Sequence, residues 1–385
     1  MREIYFDNSA TTKMSSRALE KMTEVARANY GNPSSLHSVG LSAEKQISEA
    51  RNIILSSLGI LRPQRGELVF TSGGTEANNL AIIGTALAKT RKGGEKILIT
   101  EGEHSSVEEC AKHLEASGFS IVRVPTKNGE LDLDFIRSNS KGVVLCSFMH
   151  VNNETGALYD IKKAFEIVKE QSPDCVTHAD CVQSYLKVKF TKKSIGADLI
   201  SISAHKVNGP KGVGALYITP ELLKAKKITP IVFGGGQEFG IRSGTENVYG
   251  ICAFGEAVKE HMSSLVAEIE GMRELREYII LNLPKEIRAN LPIFHAPHIL
   301  NITLPKIRSE TALHALSAKG IFVSSGSACA SNSTHKASRA LVAFGLSDDE
   351  ADSSIRISLC PQNTREEANE LVKALGEIVN QLARK

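Results

Sequence analysis

Residues 175–218 read CVTHADCVQSYLKVKFTKKSIGADLISISAHKVNGPKGVGALYI, and three pieces of that stretch decide the fold. CVTHADC (Cys175 to Cys181), ADLISISAH (Ala197 to His205) and VGALYI (Val213 to Ile218) are short, largely apolar and rich in β-formers, so each reads as a strand. Toward the N-terminus, ELVFTS (Glu67 to Ser72), KILITE (Lys96 to Glu101), FSIVRVP (Phe119 to Pro125) and GVVLCSFMHV (Gly142 to Val151) extend the series to seven. Apolar periodicities of about 3.6 residues lie between several of them, as in Ala77 to Ala88 and Ile161 to Val168, and predict helices. Strand and helix in alternation predict an α/β fold with a mostly parallel seven-stranded sheet covered on both faces. Binding residues then collect at the carboxyl ends of the strands.

The rest of the chain carries a second unit. A length of 385 residues exceeds the roughly 250 to 300 that one core usually supports. After about Met262 the pattern changes to long, charged helices with fewer strands, which predicts a smaller α+β domain. We divide the chain into a large domain over residues 16–261 and a small one made of residues 1–15 with 262–385. The last helix is the plainest: Thr364 and Glu367 form a capping-box pair, and Ala368, Leu371, Val372, Leu375, Ile378, Val379 and Leu382 make one apolar stripe.

Composition narrows the function. Hydrophobic residues make up 42% and charged residues 23%, an ordinary globular balance that excludes a disordered or collagen-like chain. Forty-six basic against 43 acidic residues leave a net charge of +3, too weak to make nucleic acid or an anionic membrane the main partner. No apolar run reaches the ~18 residues that span a bilayer, and MREIYFDNSATTK carries charge where a signal peptide needs an apolar block. A soluble, cytoplasmic protein is expected. Seven cysteines (Cys110, Cys146, Cys175, Cys181, Cys252, Cys329, Cys360) stand scattered, without a C-x-x-C pair. A disulfide framework or a structural zinc site is therefore not expected, nor any other metal, and the question becomes whether one thiol is reactive.

Lys206, in SISAHKVNGPKG, follows a strand end between polar neighbours and Gly/Pro turns, where an amine could form a Schiff base with an aldehyde. Asp180, in HADCVQS, ends the preceding strand, with Gln183 just after it. A carboxylate and a lysine at neighbouring strand ends suit a pyridoxal cofactor, whose ring nitrogen wants an anion and whose aldehyde wants an amine. In TSGGTEANNLAI (Thr71 to Ile82), a strand runs through Gly73 and Gly74 into a helix begun by Thr75 and Glu76. Bare amides at such a helix start, with a hydroxyl, make a phosphate cradle. The Gly-Lys-Ser/Thr ending of a Walker A loop is missing.

The motifs YFDNSATT, GNPSSLH, SGGTEANN, EHSSV, HVNNETG, HADCVQS, SAHKVNGPKG, GGGQEFGIRSGTEN, SSGSACAS and SSIRISL run in this order over nearly the whole chain. Together they resemble the class I cysteine desulfurases of the NifS/IscS type. That resemblance implies a fold-type I pyridoxal 5'-phosphate enzyme, a homodimer that takes sulfur from L-cysteine and releases L-alanine. By the same resemblance Lys206 would hold the cofactor, Asp180 would pair with its ring nitrogen and Gln183 would bond its phenolic oxygen. His104 would stack on the ring and shuttle protons. Thr75, Gly74, Ser203 and His205 would hold the phosphate, and Thr245 would reach the phosphate of the other subunit. Arg356 would take the substrate carboxylate, assisted by Asn153.

Cys329 would be the nucleophile. Small residues from Ser324 to Ser331 surround it, and the polar stretch Ala330 to Lys336 reads as a mobile loop, whereas the other six cysteines read as packing. Lys206 or His104 would take the Cα proton, and the Cys329 thiolate would attack substrate sulfur to leave a persulfide. An acceptor protein such as an iron–sulfur scaffold would then receive the sulfur, for cluster assembly or for tRNA or cofactor thiolation. Ala330, where Thr is common, Cys181, where Ala is usual, and Ala179, where Val is frequent, depart from the family pattern without removing a reacting group. The alternatives within the fold are a selenocysteine lyase or an aminotransferase, the latter needing no loop cysteine; outside it stands a non-catalytic scaffold, which would not take up the cofactor.

Overall fold

The computed structural model describes residues 3–88, 94–325 and 338–382. At its centre is a seven-stranded sheet of β1 (Leu68–Thr71), β2 (Lys96–Thr100), β3 (Ser120–Val124), β4 (Val143–Met149), β5 (Val176–Asp180), β6 (Leu199–Ser203) and β7 (Gly214–Ile218). Every strand expected in this region is present, with ends within two residues of the expected ones. The spatial order is β1-β7-β6-β5-β4-β2-β3. All pairings are parallel except those of β7, which runs antiparallel to β1 and β6. The segment joining β6 to β7 is too short for the crossover that a parallel neighbour needs, so the chain doubles back there.

Alternate side chains of these strands enter separate cores, as the two-residue period of a strand requires. Leu98, Cys146 and Phe148 face one side with Ile54 and Phe165, while Ile97, Ile99 and Leu145 face the other with Leu80 and Leu114. The covering helices include α1 (Ser16–Ala28), α2 (Ser38–Ser57), α3 (Gly74–Ala86), α4 (Ser105–Ala116) and α5 (Ile161–Gln171). Helix α6 (Val248–Asn282) continues without a break past Met262.

A second sheet follows, built from β8 (Arg288–Asn290), β9 (Ile299–Thr303), β10 (Ser324–Ser325) and β11 (Ser354–Ser358), all antiparallel in the order β8-β9-β11-β10. Helices α7 (Arg339–Phe344) and α8 (Arg365–Leu382) complete this part. Its core joins Leu300, Ile355, Leu371 and Leu375 to Ile279 of α6 and to Phe6 from the N-terminus. Ile4 and Tyr5 pair in parallel with Ile321 and Phe322, and Asp7 bridges to Ser358, so the first residues pack with the C-terminal part. The capping box of α8 is formed: the Thr364 N–H donates to Glu367 Oε2 at 3.1 Å and the Glu367 N–H to Thr364 Oγ1 at 3.3 Å.

Candidate active site

The carboxyl ends of β5 and β6 bring Asp180 and Lys206 to one place. Asp180 is the last residue of β5, and Lys206 ends a short 3₁₀ turn (Ala204–Lys206) that follows β6. Asp180 is buried and well supplied with donors: Asn78 Nδ2 bonds its Oδ2 at 2.7 Å and the Val182 N–H bonds its Oδ1 at 3.0 Å. Each carboxylate oxygen thus accepts one bond from a group fixed by the fold. Lys206 Nζ donates to the carbonyls of Ser9 and Ala10, the latter at 2.7 Å. The same Ser9 carbonyl accepts from Gln183 Nε2 at 2.9 Å, so Gln183 and Lys206 meet on one backbone group.

His104 caps α4, where its Nδ1 accepts from the Ser106 N–H at 3.1 Å and lies 2.8 Å from Ser106 Oγ. An accepting Nδ1 puts the proton of the neutral ring on Nε2. Burial lowers its pKa, Asp180 opposes that shift and the charge of Lys206 adds to it, so the three groups act on one another directly. Asn78 also donates to Ser106 Oγ at 2.9 Å, which ties the His104 cap to the Asp180 carboxylate.

The glycine loop has the shape its sequence implies. Helix α3 begins at Gly74 after an N-cap glycine, Gly73, that makes no side-chain cap bond, leaving the first amides of the helix bare. A Cβ on Gly74 would lie 2.7 Å from Val182 Cγ2, so only glycine lets this helix start approach the end of β5. Ser203 Oγ beside it is buried and has no hydrogen-bond partner among the described residues, and neither has Gln183 Oε1. Orphaned buried polar atoms are costly. Bare amides and an orphaned hydroxyl suit a phosphate, the Asp180 carboxylate suits a ring nitrogen and Lys206 suits an aldehyde, so the residues present fit pyridoxal 5'-phosphate. Thr75 follows at the exposed start of α3. His205 stands beside Thr11, Nδ1 to Oγ1 at 3.2 Å, and burial, with three lysine charges adding to it, pushes its pKa down to about 4.

Arg356 and Asn153 are brought together as expected, though through the backbone. Arg356 lies on β11, almost fully buried, with Nη1 donating to the Asn153 carbonyl at 2.9 Å and Nη2 to Asp7 Oδ1 at 2.7 Å. The neighbouring strand β10 pairs Ser324 with Arg356. Thr245 is exposed and lines a cavity of about 110 Å³ with Thr71, Ser72 and Gly212. Cys329 and the stretch Ala330 to Lys336 lie outside the described residues.

The other six cysteines fit a packing role. Five are buried and Cys360 is partly so, and burial raises the thiol pKa of each, to about 12 at Cys110 and Cys175 and about 11 at Cys252. Such thiols stay protonated and unreactive. Among the described residues no cluster of side chains could hold a metal ion, and no helix is long and apolar enough to cross a membrane.

Sequence reasoning missed several supporting groups. Asp7 and the Ser9 and Ala10 carbonyls lie within YFDNSATT, and Asn78 lies within SGGTEANN, motifs that carried the resemblance without a role for these positions. Asn78 falls one helical turn after Gly74, a spacing that could have placed it on the same face. Buried Glu103 accepts from Thr100 Oγ1 and the Met149 N–H, both at 2.9 Å. Burial, with the Asp180 charge adding to it, pushes its pKa up to about 8.

Comparison with known proteins agrees with this geometry. The aminotransferase class-V family matches residues 4–371. A protein of Dictyoglomus turgidum named cysteine desulfurase IscS is 38% identical over 99% of this chain and 95% of its own. A solved NifS-like protein superposes with a TM-score of 0.91 at 34% identity, covering 99% of this chain and 100% of its own. A solved SspA in complex with cysteine superposes with a TM-score of 0.81 at 30% identity, over 94% of this chain and 100% of its own. With its strand-end lysine and aspartate, its glycine-led helix start and full-length likeness of this kind, the chain belongs to the pyridoxal-phosphate-dependent aminotransferase class-V family, among the cysteine desulfurases.

Proposed function

We propose that this chain takes sulfur from L-cysteine, leaves L-alanine and carries the sulfur as a persulfide on Cys329. The observation that carries this reading is that Asp180 and Lys206 stand at the ends of β5 and β6, with His104 tied to Asp180 through Ser106 and Asn78. Bound at this place, pyridoxal phosphate supplies an electron sink for the substrate Cα. Asp180 would pair with the ring nitrogen and Lys206 would hold the cofactor through its amine. His104, with Nε2 as its free nitrogen, moves a proton at the substrate. Ser203, His205, Thr75 and the amides after Gly74 grip the phosphate, and Arg356, held by Asp7 and Asn153, takes the substrate carboxylate.

The Cys329 thiolate forms a bond to the substrate sulfur while the carbon–sulfur bond breaks. The electron pair stays with the carbon skeleton, which takes up protons and leaves as alanine. Its surroundings support this choice of thiol. In sequence Cys329 stands among small and polar residues from Ser324 to Lys336, whereas five of the six described cysteines are buried and Cys360 is partly so.

A homodimer is supported by exposed apolar side chains: Phe233 and Tyr249, which flank Thr245 in sequence, and Tyr30 and Leu36 in the loop between α1 and α2. We place the enzyme in the cytoplasm, where unpaired thiols stay reduced, with residues 16–261 as the cofactor domain. A sulfur-acceptor protein such as an iron–sulfur scaffold would complete the cycle.

The test pairs two variants. Cys329→Ala is expected to keep the visible absorbance of the bound cofactor and to yield neither persulfide nor sulfide from L-cysteine, while Lys206→Ala is expected to lose the covalent cofactor link. Normal desulfuration by Cys329→Ala would refute the assignment of the thiol.

A further inference from the structure

The turn that carries Lys206 is held from an unexpected side. Asn208, two residues on, has a left-handed backbone (φ +56°) that few non-glycine residues adopt, and all its polar groups are engaged. Its N–H donates to Thr12 Oγ1 at 2.7 Å and its carbonyl accepts from the Ser15 N–H at 2.9 Å. Its side-chain Nδ2 donates to the Lys13 carbonyl at 2.8 Å. That last bond fixes which way the amide points, because a carbonyl can only accept. Asn208 Oδ1 therefore faces His261 of α6, whose Nε2 lies 3.1 Å away.

The other nitrogen of His261, Nδ1, lies 2.5 Å from Glu268 Oε2, and Ser264 Oγ donates to the other oxygen of that carboxylate. Burial alone would raise the pKa of Glu268, but the bonds from His261 and Ser264 and the charge of the ring bring it below the usual carboxylate range. Both nitrogens of a buried imidazole thus lie within hydrogen-bond reach of an oxygen, Asn208 Oδ1 on one side and Glu268 Oε2 on the other. Thr12, which receives the Asn208 N–H, in turn donates its N–H and its hydroxyl to the His205 carbonyl, each at 2.9 Å, one residue before the lysine.

We propose that His261, backed by Glu268, is a positioning residue that locks the Lys206 turn through Asn208. It touches neither substrate nor cofactor. Its contact with Asn208 Oδ1 selects the left-handed conformation of Asn208, which sets where the lysine amine emerges. The proposal rests on Lys206 as the cofactor lysine.

The test uses the full-length protein, stripped of cofactor and then mixed with pyridoxal phosphate. Covalent capture is followed by visible absorbance and by the mass of the protein after chemical reduction. His261→Phe and Asn208→Ala should each slow capture about ten-fold or more, the size expected for losing a buried hydrogen bond. The double variant should be no slower than the slower single one, since both remove the same contact. His261→Lys, which keeps a donor at this position, should restore most of the rate, and Glu268→Gln, at a partly exposed carboxylate, should lie in between without loss of fold. Capture by His261→Phe at the normal rate, multiplying effects in the double variant, or no rescue by a His261→Lys protein that melts normally would each overturn the proposal. Covalent capture by Lys206→Ala would overturn the reading of the lysine, and this proposal with it.

Discussion

The two halves of the site are finished to different degrees by the chain itself. On the small sheet, both terminal nitrogens of Arg356 are held, by Asp7 and by the Asn153 carbonyl, so the plane of its guanidinium is set by the protein even though its Nε finds no partner among the described residues. On the large sheet, Ser203 Oγ and Gln183 Oε1 are buried with no partner at all among the described residues. A preformed arginine limits the ordering cost of taking up a small, exchanging substrate, whereas unsatisfied buried groups favour a ligand that stays. The contrast matches a cofactor that remains bound through many turnovers and a substrate that does not.

The contrast can be broken most severely at the arginine. Arg356→Lys removes the planar fork but keeps the charge, and kcat/KM for L-cysteine is expected to fall about 100-fold, mainly through KM. Unchanged KM would mean that the carboxylate is bound elsewhere. Ser203→Ala should act on the other half: the cofactor should bind about ten-fold more weakly, measured by titration, while the cofactor-free protein melts no lower than before because an orphaned hydroxyl has gone. A lower melting temperature of the cofactor-free variant would show that the hydroxyl is engaged within the protein.

The smallest effect concerns Glu103 behind Asp180. Its pKa is raised from 4.5 to about 8, chiefly by burial. Between these values the folded protein keeps a proton that the unfolded chain has released, so the stability this group contributes is lost as pH rises from about 4.5 toward 8. Glu103→Gln removes the titration, and its melting temperature, compared with the parent at pH 5.5 and pH 8, should gain on the parent by a few degrees at the higher pH. Parallel pH dependences would show that Glu103 is ionised in the folded protein.

The seven strands were legible because each is an apolar run closed by turn residues, and Lys206 and Asp180 because residues at strand ends stand out from such runs. The antiparallel setting of β7 was less legible, since it follows from the length of a connection and not from any side chain. Asp7 and His261 escaped for another reason. Their partners, Arg356 and Asn208, are remote in sequence, and a lone aspartate near a terminus or a lone histidine within a helix carries no local mark of such a bond. The cysteines were sorted by their sequence neighbours and by the family resemblance: of the six described ones five are buried and Cys360 is partly so.

Helix α6 has a further consequence. Its 35 residues make a rod about 52 Å long, with Phe254 in the core of the large sheet and Ile279 in that of the small one. Separate melting of either core would cut this rod in two and expose an apolar stripe in the half that remained. The N-terminal strand, which precedes the first helices yet pairs with Ile321 and Phe322 and bridges through Asp7 to Ser358 of β11, adds a second such thread. Two hydrophobic cores stitched in this way lose their independence, and heat or denaturant should take them apart in one cooperative step.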